Sequence, residues 1–487
     1  MRLFLISPFF LSLCFLAFDK PTVKPCWKTT ELPSAKPRKP LVLASLEAIS
    51  VQNPSANYAT EWRDALKQNA TISNQQAEHK KFWARDFLLR LNQLTRDLVA
   101  AHNVPPRVLP DSSGYGVPNP QNPSALPRYP FANPPYAARV FAYVSVAQYD
   151  ALLVALHYQD KFKETTPSVS DDKKPSYPSE EAAALMSTLD VLKAFFPAEE
   201  AYINERGATI RQTLLQNKKY VLSDIVAGEQ IGQQVAAKVL ARAQADGMSE
   251  TRSTPLNLSN ILQNRPNLGE LTWQSRQKPA RPTIEPHFGT VKAWFFQNVA
   301  DYRPSSPPSV NSDSLAHEIE TVKRYMHQVD KPKMLTVVKW ADPEFTATPI
   351  GHWNAIACDL LAAKHEGLLE QAHVLALLNM ALMDATIVCW EAKTYYFYPR
   401  PSQVDATLRP LIPLPNFPSY PSGHSTFSST AATVLTHFFP ESEKKLWEMA
   451  QEASDSRIHA GLHFKMDCTA GTEIGKKMGR LAVEKTQ

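Results

Sequence analysis

Glycine is scarce in this chain, 15 residues in 487, whereas proline reaches 40. The glycine-based phosphate cradles GxGxxG and GxxxxGK[ST] are both absent, which argues against a nucleotide-binding fold. The proline excess points instead to long, stiff connections over the surface. Only five cysteines occur, Cys14, Cys26, Cys358, Cys389 and Cys468. They form no CxxC pair and no His/Cys spacing suited to zinc, so most are expected as buried small apolar residues. Charge of one sign is also lacking. Fifty-two Lys and Arg against 47 Asp and Glu leave +5, with no concentrated basic stripe in the body, so a nucleic-acid partner is not expected. Long apolar runs are missing outside the N-terminus, which excludes a multi-pass membrane protein. Alternating apolar and polar runs of strand length are rare, and no internal repeat is visible.

What is present is 44% hydrophobic and 20% charged residues, enough apolar mass for a large core. Leu3–Phe18 follows Met1 and Arg2 and reads as an export signal, giving a periplasmic or extracellular protein. An uncleaved N-terminal membrane anchor is the alternative; lipidation at Cys14 is disfavoured by Leu13 before it. Residues 19–74 are assigned to a Lys/Pro-rich linker, in which six basic residues between Lys20 and Lys39 read as a solvated segment rather than a membrane contact. A helical region is expected over 75–330 and a C-terminal helical domain over 331–487. Phe82, Phe87, Leu88, Leu91, Leu94 and Leu98 recur at helical spacing. Tyr136–His157 is apolar on nearly all faces and predicts a buried helix, with Arg139 and Asp150 as charges satisfied in the core. Further helices are predicted at about 179–197, 198–216, 221–247 and 366–393. The fold class is all-α, built from packed helix bundles.

Chemistry concentrates in the last hundred residues. Lys393 is followed by Arg400-Pro401; Pro421-Ser422-Gly423-His424 comes next; Ser456-Arg457, His463 and Asp467 complete the set. Each part suits a tetrahedral oxyanion. Lys393, Arg400 and Arg457 supply fixed positive charge, and the guanidiniums can grip oxygens bidentately. Ser422 and Gly423 open a helix expected to reach about His437, whose free N–H groups face an anion. Asp467, or a nearby carbonyl, would hold one nitrogen of His463 and leave the other as nucleophile or ligand. His424 remains as acid/base on the opposite side of the anion. On one unbroken helix Arg457 and His463 would stand about 240° apart, so either Gly461 breaks the helix or the arginine reaches round. His459 is read as structural.

These three elements, KxxxxxxRP, PSGH and SRxxxxxHxxxD, resemble the signature of the type-2 phosphatidic acid phosphatase (PAP2) and vanadium-dependent haloperoxidase superfamily. Asn133-Pro134-Pro135 with Ala137-Ala138-Arg139 and Tyr149-Asp150-Ala151, Gly289-Thr290-Val291-Lys292, and Gly351-His352-Trp353-Asn354 are similar to segments of its bacterial haloperoxidase-like members. The resemblance covers about Gln75 to the C-terminus and is specific only in the last hundred residues. It implies two packed helix bundles with the oxyanion site in the C-terminal one. It further implies vanadate bonded through vanadium to His463 and held by Lys393, Arg400, Ser422, Gly423 and Arg457, with phosphate able to occupy the same site without vanadate. The activity implied is oxidation of halide by hydrogen peroxide to hypohalous acid. The alternative is hydrolysis of a phosphomonoester through a phosphohistidine at His463, with His424 protonating the leaving alcohol. Chain length and the aromatics Trp390 and Phe417, similar in offset to chloroperoxidase and iodoperoxidase sites, favour the haloperoxidase; simple core packing of Trp390 is the competing reading.

Overall fold

The helices expected from apolar periodicity are present and set the architecture. The computed structural model describes residues 38–67, 73–84, 86–162, 176–216, 219–252 and 255–486. Leu3–Phe18, Cys14 and Cys26 lie outside them. Among the described residues there is no β-strand, only an isolated bridge between Val108 and Tyr115. The first half carries α1 (Tyr58–Lys67), α2 (Asn74–Ala84), α3 (Phe87–His102), α4 (Pro134–Phe162), α5 (Glu180–Phe195), α6 (Glu200–Gln216), α7 (Leu222–Gln244) and α8 (Pro255–Asn264). The second carries α9 (Asp313–His327), α10 (Lys331–Lys339), α11 (Thr348–Lys364), α12 (Leu368–Tyr396), α13 (Pro401–Val404), α14 (Gly423–Phe438), α15 (Glu443–His459) and α16 (Lys465–Thr486).

Two bundles form because each amphipathic helix must cover its apolar stripe. In the N-terminal bundle α4, α5 and α7 pack on one another; in the C-terminal bundle α14 packs along α16, with α15 and α12 also against it. α12 joins the two by lying along α4 as well. Both α4 and α12 are buried over most of their length, as all-round apolar helices should be. Length and composition alone would let them cross a membrane, yet 89% and 94% of their most apolar windows are buried inside the fold. They are core helices. At the seam Asn354 and Asn379 exchange amide hydrogen bonds at 2.7 and 2.9 Å, and Asn92 and Ser145 donate or accept at 2.8 Å, so α3, α4, α11 and α12 meet without orphaned polar groups there.

The core charges are satisfied separately. Arg139 pairs with Asp246 at 2.7 Å. Asp150 accepts backbone N–H bonds from Leu41, Val42 and Leu43, and burial pushes its carboxyl up to about 6. Asp384 does the same from α12 for Trp294 and Phe295. Cys358, Cys389 and Cys468 are buried free thiols, as expected.

Two boundaries need correction. The linker expected over 19–74 contains α1, and Leu43, Ile49, Tyr58 and Trp62 are buried in the main core. Asp150 captures residues 41–43 and Tyr58 donates to Asp224 at 2.6 Å, long-range contacts that Lys/Pro composition cannot reveal. The division at 330/331 does not separate two bodies either, because Pro40–Gln487 is one compact unit and α9 packs on α15 and α16.

The close approach of α16 to α14 has a measurable consequence. A Cβ on Gly475 of α16 would approach the Thr426 carbonyl to 2.4 Å and the Ser429 Cβ to 2.7 Å on α14. Gly475→Ala should therefore destabilise by about 1–3 kcal/mol through overpacking. Urea unfolding should show a lower midpoint at unchanged slope; a wild-type midpoint would contradict the close approach.

Candidate active site

Lys393 is buried near the end of α12, and Phe397, in left-handed backbone (φ 46°), turns the chain out of the helix. Four residues after Phe397's predecessor, Arg400 caps α13, its N–H bound to the Gln403 side chain at 2.9 Å. Ser422 caps α14 and receives the Ser425 N–H, while its own N–H donates to the Asp467 carbonyl at 2.9 Å, tying the PSGH turn to α16. The helical tension between Arg457 and His463 resolves at Gly461. α15 stops at His459, Gly461 takes φ +69°, and the Leu462 N–H turns back onto the Arg457 carbonyl. That reversal brings His463 to the same pocket as Arg457. His459 packs against Tyr325 with ring centroids 5.0 Å apart, away from the set.

Lys393, Arg400, Arg457 and His463 are each at most 2% exposed. Burial pulls Lys393 well down from the ordinary lysine range, with Arg400 adding to the effect. Burial likewise brings Arg400 and Arg457 down to about 10. All three ammonium donors of Lys393 are engaged, by the carbonyls of Pro418, Ser419 and Pro421 at 2.5–2.9 Å. Arg400 holds the Phe417 and Leu462 carbonyls and the Nε2 of His463, the last at 2.9 Å. Lys393 thus presents charge rather than a free hydrogen, and must exchange a carbonyl to touch an anion.

A guanidinium N–H can only donate, so the Nε2 of His463 is the acceptor and carries the lone pair. Its Nδ1 then carries the proton and donates to Asp467 Oδ2 at 2.9 Å. Burial, then the Arg400 and Lys393 charges, holds this histidine well below the usual range, so it is neutral. Asp467 accepts also from the Ser419 hydroxyl at 2.6 Å and the Phe464 N–H. Of the two holders left open by the sequence, the carboxylate is the one in contact. The result is a nucleophilic or ligating nitrogen with a fixed tautomer inside a positive pocket.

His424, the second residue of α14, is also held well below its usual range, by burial, then Arg457 and His352. Its Nε2 has no hydrogen-bond partner among the described residues and lies 3.8 Å from Asp342 Oδ2. Asp342 bonds His352 Nδ1 at 3.0 Å and acts electrostatically on Arg457. Its backbone is left-handed (φ 42°), and His352 stacks on Trp340 with centroids 4.4 Å apart. Asp342 and His352 were missed as site residues. His352 stood within the quoted Gly351-His352-Trp353-Asn354 segment, whereas nothing local to Asp342 marked it.

Three buried cations thus face the carboxylate of Asp467, with that of Asp342 at the Arg457 end, and both histidines are neutral. The pocket keeps positive charge in excess, which an anion with several oxygens fits. Phe417 covers one side, its ring 5.1 Å from the Lys393 ammonium, 5.3 Å from the Arg400 guanidinium and 5.1 Å from the Trp390 ring. Trp390 is fixed by its indole N–H on the Ile284 carbonyl at 3.0 Å. It also lies beside Gly423, at 4.0 Å from where a Cβ would stand.

Residues 372–486, which contain every element of this pocket from Lys393 to Asp467, match the PAP2 superfamily model. The match to the PAP2 superfamily is confined to this C-terminal region. No curated protein sequence matches the chain. Among solved structures, the PAP2 region and the helices before it are similar to the first bacterial vanadium-dependent iodoperoxidase, with TM-score 0.60 and 23% identity over 72% of this chain and 91% of that one. The holo form of a bacterial vanadium-dependent chloroperoxidase aligns at TM-score 0.54 and 17% identity, over 76% and 96% of the two chains. The apo form of a bacterial vanadium-dependent chloroperoxidase gives 0.54 and 16%, over 73% and 94%. At these identities the likeness is one of fold, and it includes the N-terminal bundle.

The contact behind His463 can be tested directly. Asp467→Asn removes the carboxylate that fixes its tautomer, and such a partner behind a ligating histidine is worth about 10–100-fold in affinity. Calorimetric titration with orthovanadate should show that loss; unchanged affinity would detach Asp467 from the site.

Proposed function

We propose that this protein is a vanadate-dependent haloperoxidase, oxidising halide with hydrogen peroxide to hypohalous acid. The observation that carries the reading is Phe417, whose ring contacts Lys393, Arg400 and Trp390 together. The residues fit the oxyanion on the grounds of charge excess and the His463 lone pair. His463 Nε2 would bond vanadium, and Lys393, Arg400, Arg457, Ser422 and Gly423 would hold the oxygens. When bound, vanadate supplies the Lewis-acidic centre at which hydrogen peroxide is activated toward halide.

Within that scheme the chain's own groups have separate tasks. Asp467 keeps the proton on His463 Nδ1 and so keeps Nε2 available. Arg400 and Arg457 balance negative charge in a dry pocket, where it is worth more than in water. Neutral His424, its Nε2 uncommitted within the described residues, takes and returns a proton at that atom. Trp390 and Phe417 exclude water and offer ring edges of partial positive charge to a halide. Iodide and bromide, which shed water at lower cost, should be used before chloride.

The neutral Nε2 of His463 also favours a second reading, phosphomonoester hydrolysis through a phosphohistidine, with His424 protonating the leaving alcohol. The apolar N-terminal segment supports export of either enzyme, with the anchored form as the alternative; cell fractionation decides it.

Purified protein treated with orthovanadate should oxidise iodide or bromide with hydrogen peroxide. Any hydrolysis of p-nitrophenyl phosphate by untreated protein should be inhibited by the same vanadate, and independence of the two anions would refute a shared site. His463→Ala should abolish the covalent or coordinate link to the oxyanion, whereas His424→Ala should leave binding largely intact and lower turnover roughly 10²–10⁴-fold. Trp390→Ala and Phe417→Ala should alter halide KM or preference more than vanadate affinity. Wild-type halide kinetics in both would leave these rings as packing and favour the phosphatase.

A further inference from the structure

Beside the oxyanion pocket lies a cavity of ≈ 790 Å³, bounded by the loop around 113–131, the end of α7 and residues 280–285. Its volume is within the range that takes a small organic ligand. Arg281 lines it and is only 8% exposed. The guanidinium has no hydrogen bond or ion pair among the described residues; Glu344 acts on it only through its field. A buried guanidinium is costly unless paired.

The arginine is nevertheless held in place. Its Cζ lies 5.9 Å from the Tyr115 ring centroid and 5.5 Å from that of Phe131. Tyr115 is anchored by its hydroxyl on the Pro279 carbonyl at 3.0 Å. The Arg281 backbone N–H donates to the Ser275 hydroxyl, and its carbonyl accepts from the Asn416 amide. Other charges around the cavity are committed elsewhere. Arg139 is paired with Asp246, and Glu285 accepts from the Thr251 hydroxyl at 2.6 Å and the Asn133 amide at 3.4 Å. Arg252 sits at the rim over Tyr129. Arg281 is the buried cation left facing the space, and Pro118, Tyr129 and Tyr136 give the wall flat apolar faces between polar side chains such as Ser113, Gln244 and Thr283.

We propose that this cavity is a binding site for a small aromatic carboxylate, the carboxylate on the Arg281 fork and the ring against the tyrosine and proline wall. A planar monoanion matches one guanidinium bidentately. A dianionic phosphate would meet a single unpaired buried cation, with the Glu285 carboxylate in the same cavity. The site is distinct from the oxyanion pocket and is linked to it by hydrogen bonds at residues 281–284. Asn416, next to Phe417, bonds the carbonyls of Arg281 and Pro282, and the Ile284 carbonyl holds the Trp390 indole. The inference holds for either reading of the catalytic chemistry.

The test uses the full protein with saturating orthovanadate, which occupies the oxyanion pocket, and 2-naphthoate as probe in a calorimetric titration. Charge-assisted bonds to a carboxylate imply about 10–100-fold weaker binding of 2-naphthamide than of 2-naphthoate. Arg281→Met should lose naphthoate affinity by a similar factor, and Arg281→Lys, which keeps charge without the fork, should fall between. The acid-against-amide comparison on the wild-type chain needs no variant and stands even if Arg281→Met fails to fold. Equal affinity for acid and amide, absence of naphthoate binding in the millimolar range, or displacement of naphthoate by orthovanadate would each overturn the proposal.

Discussion

Mutual repulsion of Lys393, Arg400 and Arg457 in a dry pocket is the constraint on which the rest depends. Such charges stay buried only when dipoles and carboxylates surround them closely. The carbonyls of Phe417, Pro418, Ser419, Pro421 and Leu462 all turn inward for this purpose. That gathering of carbonyls explains why the segment before α14 is irregular rather than helical: its backbone acceptors are spent on side chains. Asp467 adds a fully buried carboxylate beside the cations, and its backbone carbonyl fixes Ser422 as well.

One helix transmits order from the core to this pocket. Asn379, Asp384, Trp390 and Lys393 all stand on α12, and they serve respectively the seam with α4, the loop at 294–295, the aromatic wall and the cation cluster. A 29-residue helix buried between two bundles holds these positions in fixed relation. The N-terminal bundle therefore acts on the site through α12 rather than by donating any of the signature residues. Asp150 of α4 and Asp384 of α12 perform the same task, each capturing successive backbone N–H groups of a passing loop.

Much of this was legible in the sequence. Periodicity placed α3 to α7 and α12, and the three short motifs named every cation, both histidines and Asp467. Trp390 and Phe417, chosen from their offsets alone, do stand against each other beside the cations. What was not legible is long-range. Asp342 follows α10 by a turn and reaches His424 and His352 only because α10 and α11 fold over α14 and α15. The first residues of the described chain looked like linker because lysine and proline dominate their composition, yet Asp150 more than a hundred positions away captures them.

Sequence by itself determined which charged and nucleophilic groups are candidates for the site and that Lys393, His424, Arg457 and Asp467 sit on helices, since both follow from residue type and from spacing along one element. Tertiary structure alone decided their states. The bond from Arg400 assigns the lone pair of His463 to Nε2, and burial among like charges makes both histidines neutral. Gly461 decides that Arg457 and His463 meet, a choice the helical repeat left open. Arg281, unremarkable in the sequence, becomes an unpaired buried cation only when the distant loop carrying Tyr115 and Phe131 closes over it. Protonation, tautomer and solvent exclusion depend on neighbours brought from elsewhere in the chain, and no local pattern encodes them.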